Sequence, residues 1–312
     1  MAFGLHVESD FALPGLGAPP DEEAAPRVSI RLVEPRELAQ SWSGPAAPPA
    51  WRTVLGDGAS LQLEHGTAGD YRLSYGSATF HISADGKCLL AAPDDALDFA
   101  WQRQLLDTAL YSASFARGFE LLHASGVEFE HGVVAFMTRS GGGKTSLAAE
   151  LVRRGHPLFC DDVLAFGWSP EGLRGFPGPA VMNLPYSSVS PEQLGATVIA
   201  RFPEEEELWV ALEAAVTSPR RISALYLLDS CKGRANVNRL AAPTLLDLLP
   251  HSISLPHPAS RDREHFKRLS TLAEEAQIGC IGVSPDTDPT ALADLVESAV
   301  SELDNPASAA SR

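Results

Sequence analysis

The sequence predicts an α/β protein in two parts: a larger α/β sheet domain over residues 93–304, preceded by a smaller β-rich α+β domain over residues 1–92. Three observations predict it. From residue 132 onward, strand-like apolar runs alternate with helical ones. A glycine-rich loop joins one such run directly to one such helix. Ahead of residue 92 the patterning is instead period-two, with turn dipeptides between short runs.

In the first part, "VSIRLVE" (Val28–Glu34) alternates apolar and polar residues as a half-buried strand does. "WSGPAAPPAW" is too proline-rich for a regular element and reads as a surface connection. "YRLSYGSATFHISADGKCLLA" reads as a meander of short strands, with Asp85-Gly86 as a tight turn. From Asp94 the spacing becomes helical through "DDALDFAWQRQLLDTALYSASFARGFELLHAS", with acidic residues at its front and Gly118 near its end. Beyond it, strand-like runs (Gly132–Met137, His156–Cys160, Ile222–Leu228, Gln277–Val283) alternate with helical ones (Ser146–Arg154, Pro243–Leu249, Asp262–Glu275, Pro289–Leu303). The tail, residues 305–312, is small and polar and is expected to be disordered.

Composition excludes several classes. The 312 residues are 45% hydrophobic and 21% charged, ordinary for a globular protein. With 40 acidic against 24 basic residues the net charge is −16, so no basic surface for nucleic acid is expected. The densest charge run, Glu204–Glu207, reads as a solvated acidic face or loop. No run approaches the roughly 18 apolar residues that a membrane span needs, and "MAFGLHVESDF" lacks the features of a signal peptide. No membrane association is expected, and the expected location is the cytoplasm. The four cysteines form no CxxC pair, which argues for reduced thiols rather than a zinc or redox motif.

The chemistry centres on "VVAFMTRSGGGKTSLAAELVRRGHPLFCDDV", residues 133–163. An apolar strand, then "TRSGGGKT", then a helix is the context of a phosphate-binding loop. Glycines let successive backbone N–H groups converge on phosphate oxygens, and the helix dipole adds to the attraction. Ser140, Gly141, Gly142, Gly143, Lys144, Thr145 and Ser146 are the expected nucleotide-contacting run. Lys144 would pair with the terminal phosphates and the Thr145 hydroxyl would bind Mg²⁺. The first glycine of the G-x-x-x-x-G-K-[ST] pattern is Thr138 here.

Asp161 and Asp162 follow a short apolar run, so they lie at a strand's carboxyl end, where open α/β sheets bind ligands. One can hold the metal and the other can take a proton from an attacking hydroxyl. We assign Asp161 to the metal and Asp162 as base, and the reverse stays open, because adjacent strand residues point to opposite faces unless the strand bends or ends there. His123, on the segment leading into the strand before the loop, is either a contact to the carboxylate or phosphate or a structural histidine.

These residues together resemble the catalytic domain of HPr kinase/phosphorylase and its relatives. The family's histidine, "G-x-S-G-x-G-K-S" loop and "E-L-x-x-R-G-H-x-L-x-x-D-D" run are matched by His123, by Thr138 through Thr145, and by Glu150-Leu151, Arg154-Gly155-His156-Pro157-Leu158 and Asp161-Asp162. The resemblance implies a P-loop kinase-like domain with the mixed sheet of the HPr kinase/PEP carboxykinase type. It puts Arg221, in "SPRRISALYLLD", on the arginine that steadies the transferring phosphoryl group, beside the plainer reading of a solvated strand-flanking arginine. Over the first part, "FGLHVESDFALPGL" resembles the HPr-kinase-like proteins of peptide-modification gene sets, including those of lasso-peptide maturation. "RGFPGPAVMNLP" stands where the family's downstream signature would be, a departure that bears on HPr as substrate.

The implied activity is an ATP- and Mg²⁺-dependent kinase acting on a serine-type hydroxyl of a peptide or small protein. Lys144, Asp162, His123 and Arg221 form its catalytic set, and the family's oligomeric habit implies a homo-oligomer. A nucleotide-binding regulatory module without phosphotransfer and a kinase of a small-molecule alcohol are the alternatives. The β-rich first domain is read as a module for peptide recognition by strand addition or as a buttress.

Overall fold

A computed structural model describes residues 1–16, 25–49, 51–54, 60–76, 78–138, 142–231, 235–284 and 287–303. The expected nucleotide contacts Ser140 and Gly141 and the expected disordered tail lie outside the described residues.

The first sheet is built from β1 (His6–Ser9), β2 (Arg27–Leu32), β3 (Trp51–Val54), β4 (Ser60–His65), β5 (Tyr71–Tyr75), β6 (Ala78–Ile82) and β7 (Cys88–Pro93), in the order β1-β2-β7-β6-β5-β4-β3. β5, β6 and β7 are the expected meander, and Gly86 adopts φ +63° in the turn before β7. Alternate residues Val28 and Ile30 of β2 are buried, as the period-two pattern requires. A short helix, α1 (Pro35–Ser41), covers the outer face of β7 through Leu38 against Leu90 and Ala92.

After β7 the chain runs through α2 (Phe99–Gln104), a single π-helical turn (Leu105–Ala109) and α3 (Leu110–Ala116). Asp98 caps α2 by accepting the Ala100 N–H at 2.9 Å. The apolar stripe Trp101, Leu105, Ala109 and Ala113 packs into the core that the first sheet also fills. That core continues into Leu121, Val163, Phe176 and Trp209, and the Ser114 hydroxyl donates to the Phe3 carbonyl at 2.6 Å. The chain leaves the first sheet at Pro93, close to the boundary read near residue 92, but burial runs across it without a break.

The helical reading carried through "ELLHAS" is corrected. Helix ends by Arg117, Gly118 turns the chain at φ +97°, and Glu120–Phe129 is a strand, β8. Its apolar residues satisfy either period locally; pairing on both sides, with β9 (Gly132–Met137) and with later strands, decides for strand.

The second sheet contains β8, β9, β10 (Leu158–Cys160), β11 (Val163–Ser169) and β12 (Gly172–Phe176). A separate antiparallel sheet of β13 (Val181–Pro185), β14 (Ala196–Phe202) and β15 (Glu207–Leu212) interrupts it. It then resumes with β16 (Ile222–Ser230), β17 (Asn236–Arg239), β18 (Ser252–Ile253) and β19 (Gln277–Val283). Its order is β12-β11-β8-β9-β16-β19-β17, with β10 and β18 paired to β8. β9, β16 and β19 run parallel. Helices α4 (Lys144–Arg153), α5 (Leu245–Leu248), α6 (Asp262–Glu275) and α7 (Pro289–Leu303) complete the domain close to where their periodicity puts them. No helix among the described residues is long and apolar enough to cross a membrane.

The "RGH" of the sequence motif serves packing. At the end of α4, Arg154 donates to Glu150 at 3.0 Å and to Asp294 and Glu297 of α7 at 2.7 Å each, and His156 meets Glu297 at 3.0 Å. Hydrogen bonds from Arg153 and Arg154 hold the buried Glu150 carboxyl below its ordinary range. Its contribution to stability is therefore present at neutral pH and lost on acidification through that lowered value. Arg154→Leu is expected to destabilise the fold by about 1–2 kcal/mol: the α7 end is solvent-screened, but the Glu150 end is buried. Denaturant unfolding reads this directly.

Candidate active site

β9 ends at Met137 and α4 begins at Lys144, so the glycine loop joins a sheet edge to a helix amino terminus. Gly143 precedes the helix at φ +85°, a conformation that favours glycine, and its carbonyl accepts the first helical bond from Leu147 at 3.0 Å. Gly142 is required for a different reason: a Cβ there would fall on the hydroxyl and methyl groups of Thr138, the residue standing for the missing glycine.

Lys144 is 5% exposed, and its ammonium donates to His123 Nε2 at 3.0 Å and lies 3.9 Å from Asp162 Oδ1. The other imidazole nitrogen, Nδ1, is 3.1 Å from the Asp162 carbonyl, which can only accept. The proton is thus on Nδ1, and Nε2 offers its lone pair to lysine. Burial first, and then Lys144, lowers the His123 pKa, which keeps the ring neutral at pH 7.

The aspartate pair sits in the bend between β10 and β11, outside both strands. Asp162 adopts φ +60°, and this left-handed kink cancels strand alternation, so both carboxylates reach the same region. Asp161 is enclosed by donors: Ser125 Oγ at 2.7 Å and Thr145 Oγ1 at 3.0 Å on Oδ1, and the Asn183 N–H at 3.0 Å on Oδ2. Burial, then the neighbouring Asp162, raises its pKa. Asp162 differs. Its side chain is 39% exposed and faces a cavity of about 400 Å³ lined by His123, Gly142, Lys144, Thr145, Asn183 and Glu207, among others including Gly143 and Ser146.

Arg221 is not brought to this group. It immediately precedes β16, where its carbonyl accepts from the Val133 N–H near the start of β9, and it lines a different cavity with Arg239. Because β9 and β16 are parallel, Arg221 stands at the sheet edge opposite Lys144, separated by the length of β9 at roughly 3.3 Å per residue. The plainer reading of a strand-flanking arginine matches this placement. The neighbouring Arg220 is bound to Glu128.

Several residues escaped the sequence reading. Ser125 carried a usable signal: it is two residues beyond His123, hence on the same face of β8. Asn183 on β13 carried none; its N–H binds Asp161, and its amide Nδ2 lies 3.3 Å from Asp107 Oδ2 and 3.4 Å from Asp162 Oδ2. Of the acidic run Glu204–Glu207, expected as a solvated face or loop, Glu204 and Glu206 are exposed, whereas Glu205 and Glu207 are half-buried and each accept from Arg103 of α2 at 2.6 Å. Asp107 is pushed up to about 7, chiefly by burial, against the pull of Arg103 and with Asp162 and Glu207 adding to it.

A carboxyl with a raised folded pKa stabilises most below its unfolded value, near 4, and that contribution is lost as pH rises through about 7. Asp107→Asn should therefore melt with less loss of Tm between about pH 5 and about pH 8 than the parent. An unchanged pH slope in thermal melts would contradict the assignment.

The Thr145 hydroxyl and Asp161 carboxylate, 3.0 Å apart, form a pair of hard oxygen donors beside the loop. Among the described residues no group of three or more His, Cys, Asp or Glu has metal-holding geometry. A divalent ion held by this pair would need its other ligands from water or a bound anion, the habit of Mg²⁺ on phosphates.

No protein-family model matches the chain, and no curated protein matches it in sequence. Among solved structures, the Hpr(Ser) kinase/phosphatase from Coxiella burnetii is similar at a TM-score of 0.35 and 13% identity, over 59% of this chain and 99% of that one. That likeness is distant.

Proposed function

We propose that the chain is an ATP- and Mg²⁺-dependent kinase that phosphorylates a serine-type hydroxyl on a peptide or small protein. The observation that carries this reading is the convergence of Lys144, the Thr145–Asp161 pair and Asp162 at the start of α4, around one cavity. ATP supplies the phosphoryl group, and Mg²⁺ offsets the charge on its terminal phosphates. Lys144, buried and already oriented by a neutral His123, is the cation for those phosphates. Thr145 and Asp161 are the protein's metal ligands, and Gly142, Gly143 and Ser146 bring the helix amino terminus to the phosphates. Asp162 keeps an accessible carboxylate, so it is the group that takes the proton from the acceptor hydroxyl as that oxygen bonds to the γ-phosphorus and the bond to ADP breaks. The peptide acceptor follows from the resemblance of both parts of the chain to HPr-kinase-like proteins, including those of peptide-modification gene sets.

The test uses the full chain with γ-labelled ATP, Mg²⁺ and an array of serine-containing peptides. Label on peptide is the expected result. Label on a small alcohol instead would move the acceptor class. Tight ATP binding with no transfer to any acceptor would select the regulatory module, and no ATP binding would overturn the reading as a whole.

A further inference from the structure

Two residues outside the expected set reach the aspartate pair from the connector and from the small sheet. Asp107 sits in the π-turn Leu105–Ala109, between α2 and α3. Such turns insert one residue into a helix and recur at functional sites, where they re-aim a side chain. One turn earlier, Arg103 is 11% exposed, is anchored by Glu205 and Glu207 at 2.6 Å each, and brings Nε to 3.8 Å from Asp107 Oδ2. The connector's position is thereby tied to β15, whose first residue is Glu207.

Asn183 joins this limb to the site. Its Nδ2 is shared between Asp107 Oδ2 at 3.3 Å and Asp162 Oδ2 at 3.4 Å, while its Oδ1 is buried and has no hydrogen-bond partner among the described residues. A buried carbonyl oxygen left without a donor is unfavourable, so something must hold the amide this way round. The Nδ2 donor lies between the two carboxylates, and a flipped amide would set its oxygen against theirs. Asp107 is the less exposed of the two, at 28% against 39% for Asp162.

We propose that Asp107 and Asn183 are positioning residues for phosphoryl transfer, Asp107 fixing the Asn183 amide and that amide fixing the Asp162 carboxylate beside Lys144. The proposal rests on the kinase reading of the site. It assigns the connector a direct share in the active site, although the sequence places it far from every expected catalytic residue. Loss of either member leaves Lys144, Thr145 and the glycines in place, so nucleotide affinity survives while the geometry of the proton acceptor is lost.

The experiment compares Asp107→Ala, Asp107→Asn, Asn183→Ala and the Asp107→Ala/Asn183→Ala pair in the full chain. Readouts are MgATP binding by calorimetry, transfer from γ-labelled ATP to the peptide array and to water, and crystal structures of the parent and Asn183→Ala. Misplacing a reacting group by about 1 Å lowers rate roughly 100-fold, so a kcat loss of about 10- to 100-fold is expected for either alanine variant, with ATP Kd within about 3-fold. The double variant should be no slower than the slower single one, because both act through one contact. Asp107→Asn keeps an acceptor oxygen and should recover most of the rate. Losses that multiply, Asp107→Asn as slow as Asp107→Ala, or Asp162 unmoved in the Asn183→Ala crystal would each overturn the proposal. If Asn183→Ala fails to fold, Asn183→Ser makes the same comparison with a shorter side chain and the backbone N–H to Asp161 retained. A parent that neither binds ATP nor transfers phosphate sinks the kinase reading, and with it the positioning role. A parent that transfers normally alongside unaffected variants sinks this proposal alone.

Discussion

Lys144→Ala is expected to weaken ATP binding by about 10- to 100-fold, the value of a charge-assisted contact of about 1.5–3 kcal/mol. It should also slow transfer by about 100- to 1000-fold, since the contact strengthens as charge builds on the moving phosphoryl group. Lys144 is 5% exposed, and among the described residues its ammonium meets a neutral imidazole nitrogen at 3.0 Å and a carboxylate oxygen at 3.9 Å, too long for a hydrogen bond. A buried cation so lightly compensated is poised for an anion. The substitution leaves the Leu147 to Gly143 bond and the apolar face of α4 untouched, so the variant should melt close to the parent. Calorimetry with MgATP checks the affinity, and an unchanged Kd would remove the loop from the binding site.

Asp162→Asn is expected to lower kcat by about 100- to 10,000-fold, the range for removing a general base, with ATP Kd within about 3-fold. Asparagine is the informative replacement because residue 162 sits at φ +60°, which asparagine tolerates and alanine or leucine adopts at a strain of about 1–2 kcal/mol. A loss of activity in Asp162→Asn is therefore a loss of basicity rather than of the bend. The environments of the two carboxylates point the same way. Asp161 spends its oxygens on Ser125, Thr145 and the Asn183 N–H, whereas Asp162 faces the cavity. Full transfer by Asp162→Asn would dismiss it as the base.

How much of this was legible depended on whether the cause was local. The strand–loop–helix around Lys144 was legible, because glycine spacing, an apolar run and a helical period all lie within about thirty residues and agree with one another. β16, β19, α6 and α7 were legible for the same reason. The helical spacing carried over Glu120–Ser125 fails because those apolar residues fit both periods, and only the neighbours β9 and β11 choose between them. The strands between residues 163 and 212 were left unassigned, and with them went Asn183.

Arg221 shows the limit of motif transfer. Its sequence context resembled a catalytic arginine, yet parallel pairing of β9 and β16 fixes it at the sheet edge away from Lys144. Glu205 and Glu207 differ in the other direction: within an acidic run whose Glu204 and Glu206 are exposed, these two turn onto Arg103. No local pattern distinguishes an acidic loop in water from one that meets a guanidinium a hundred residues distant.

The amino-acid sequence by itself determined where the candidate chemistry lies: a glycine-rich loop between a strand and a helix, a lysine and a threonine behind it, and a carboxylate pair one helix later, in a chain of net charge −16. Only the tertiary structure decided that the two carboxylates stand in different surroundings, which histidine nitrogen faces the lysine, and that residues 107, 125 and 183 stand beside the pair. The reason is physical. Glycine conformations, turn dipeptides and apolar periods act over a few residues, whereas the approach of side chains from distant elements is set by sheet register and by a core that is buried as one body across both parts of the chain.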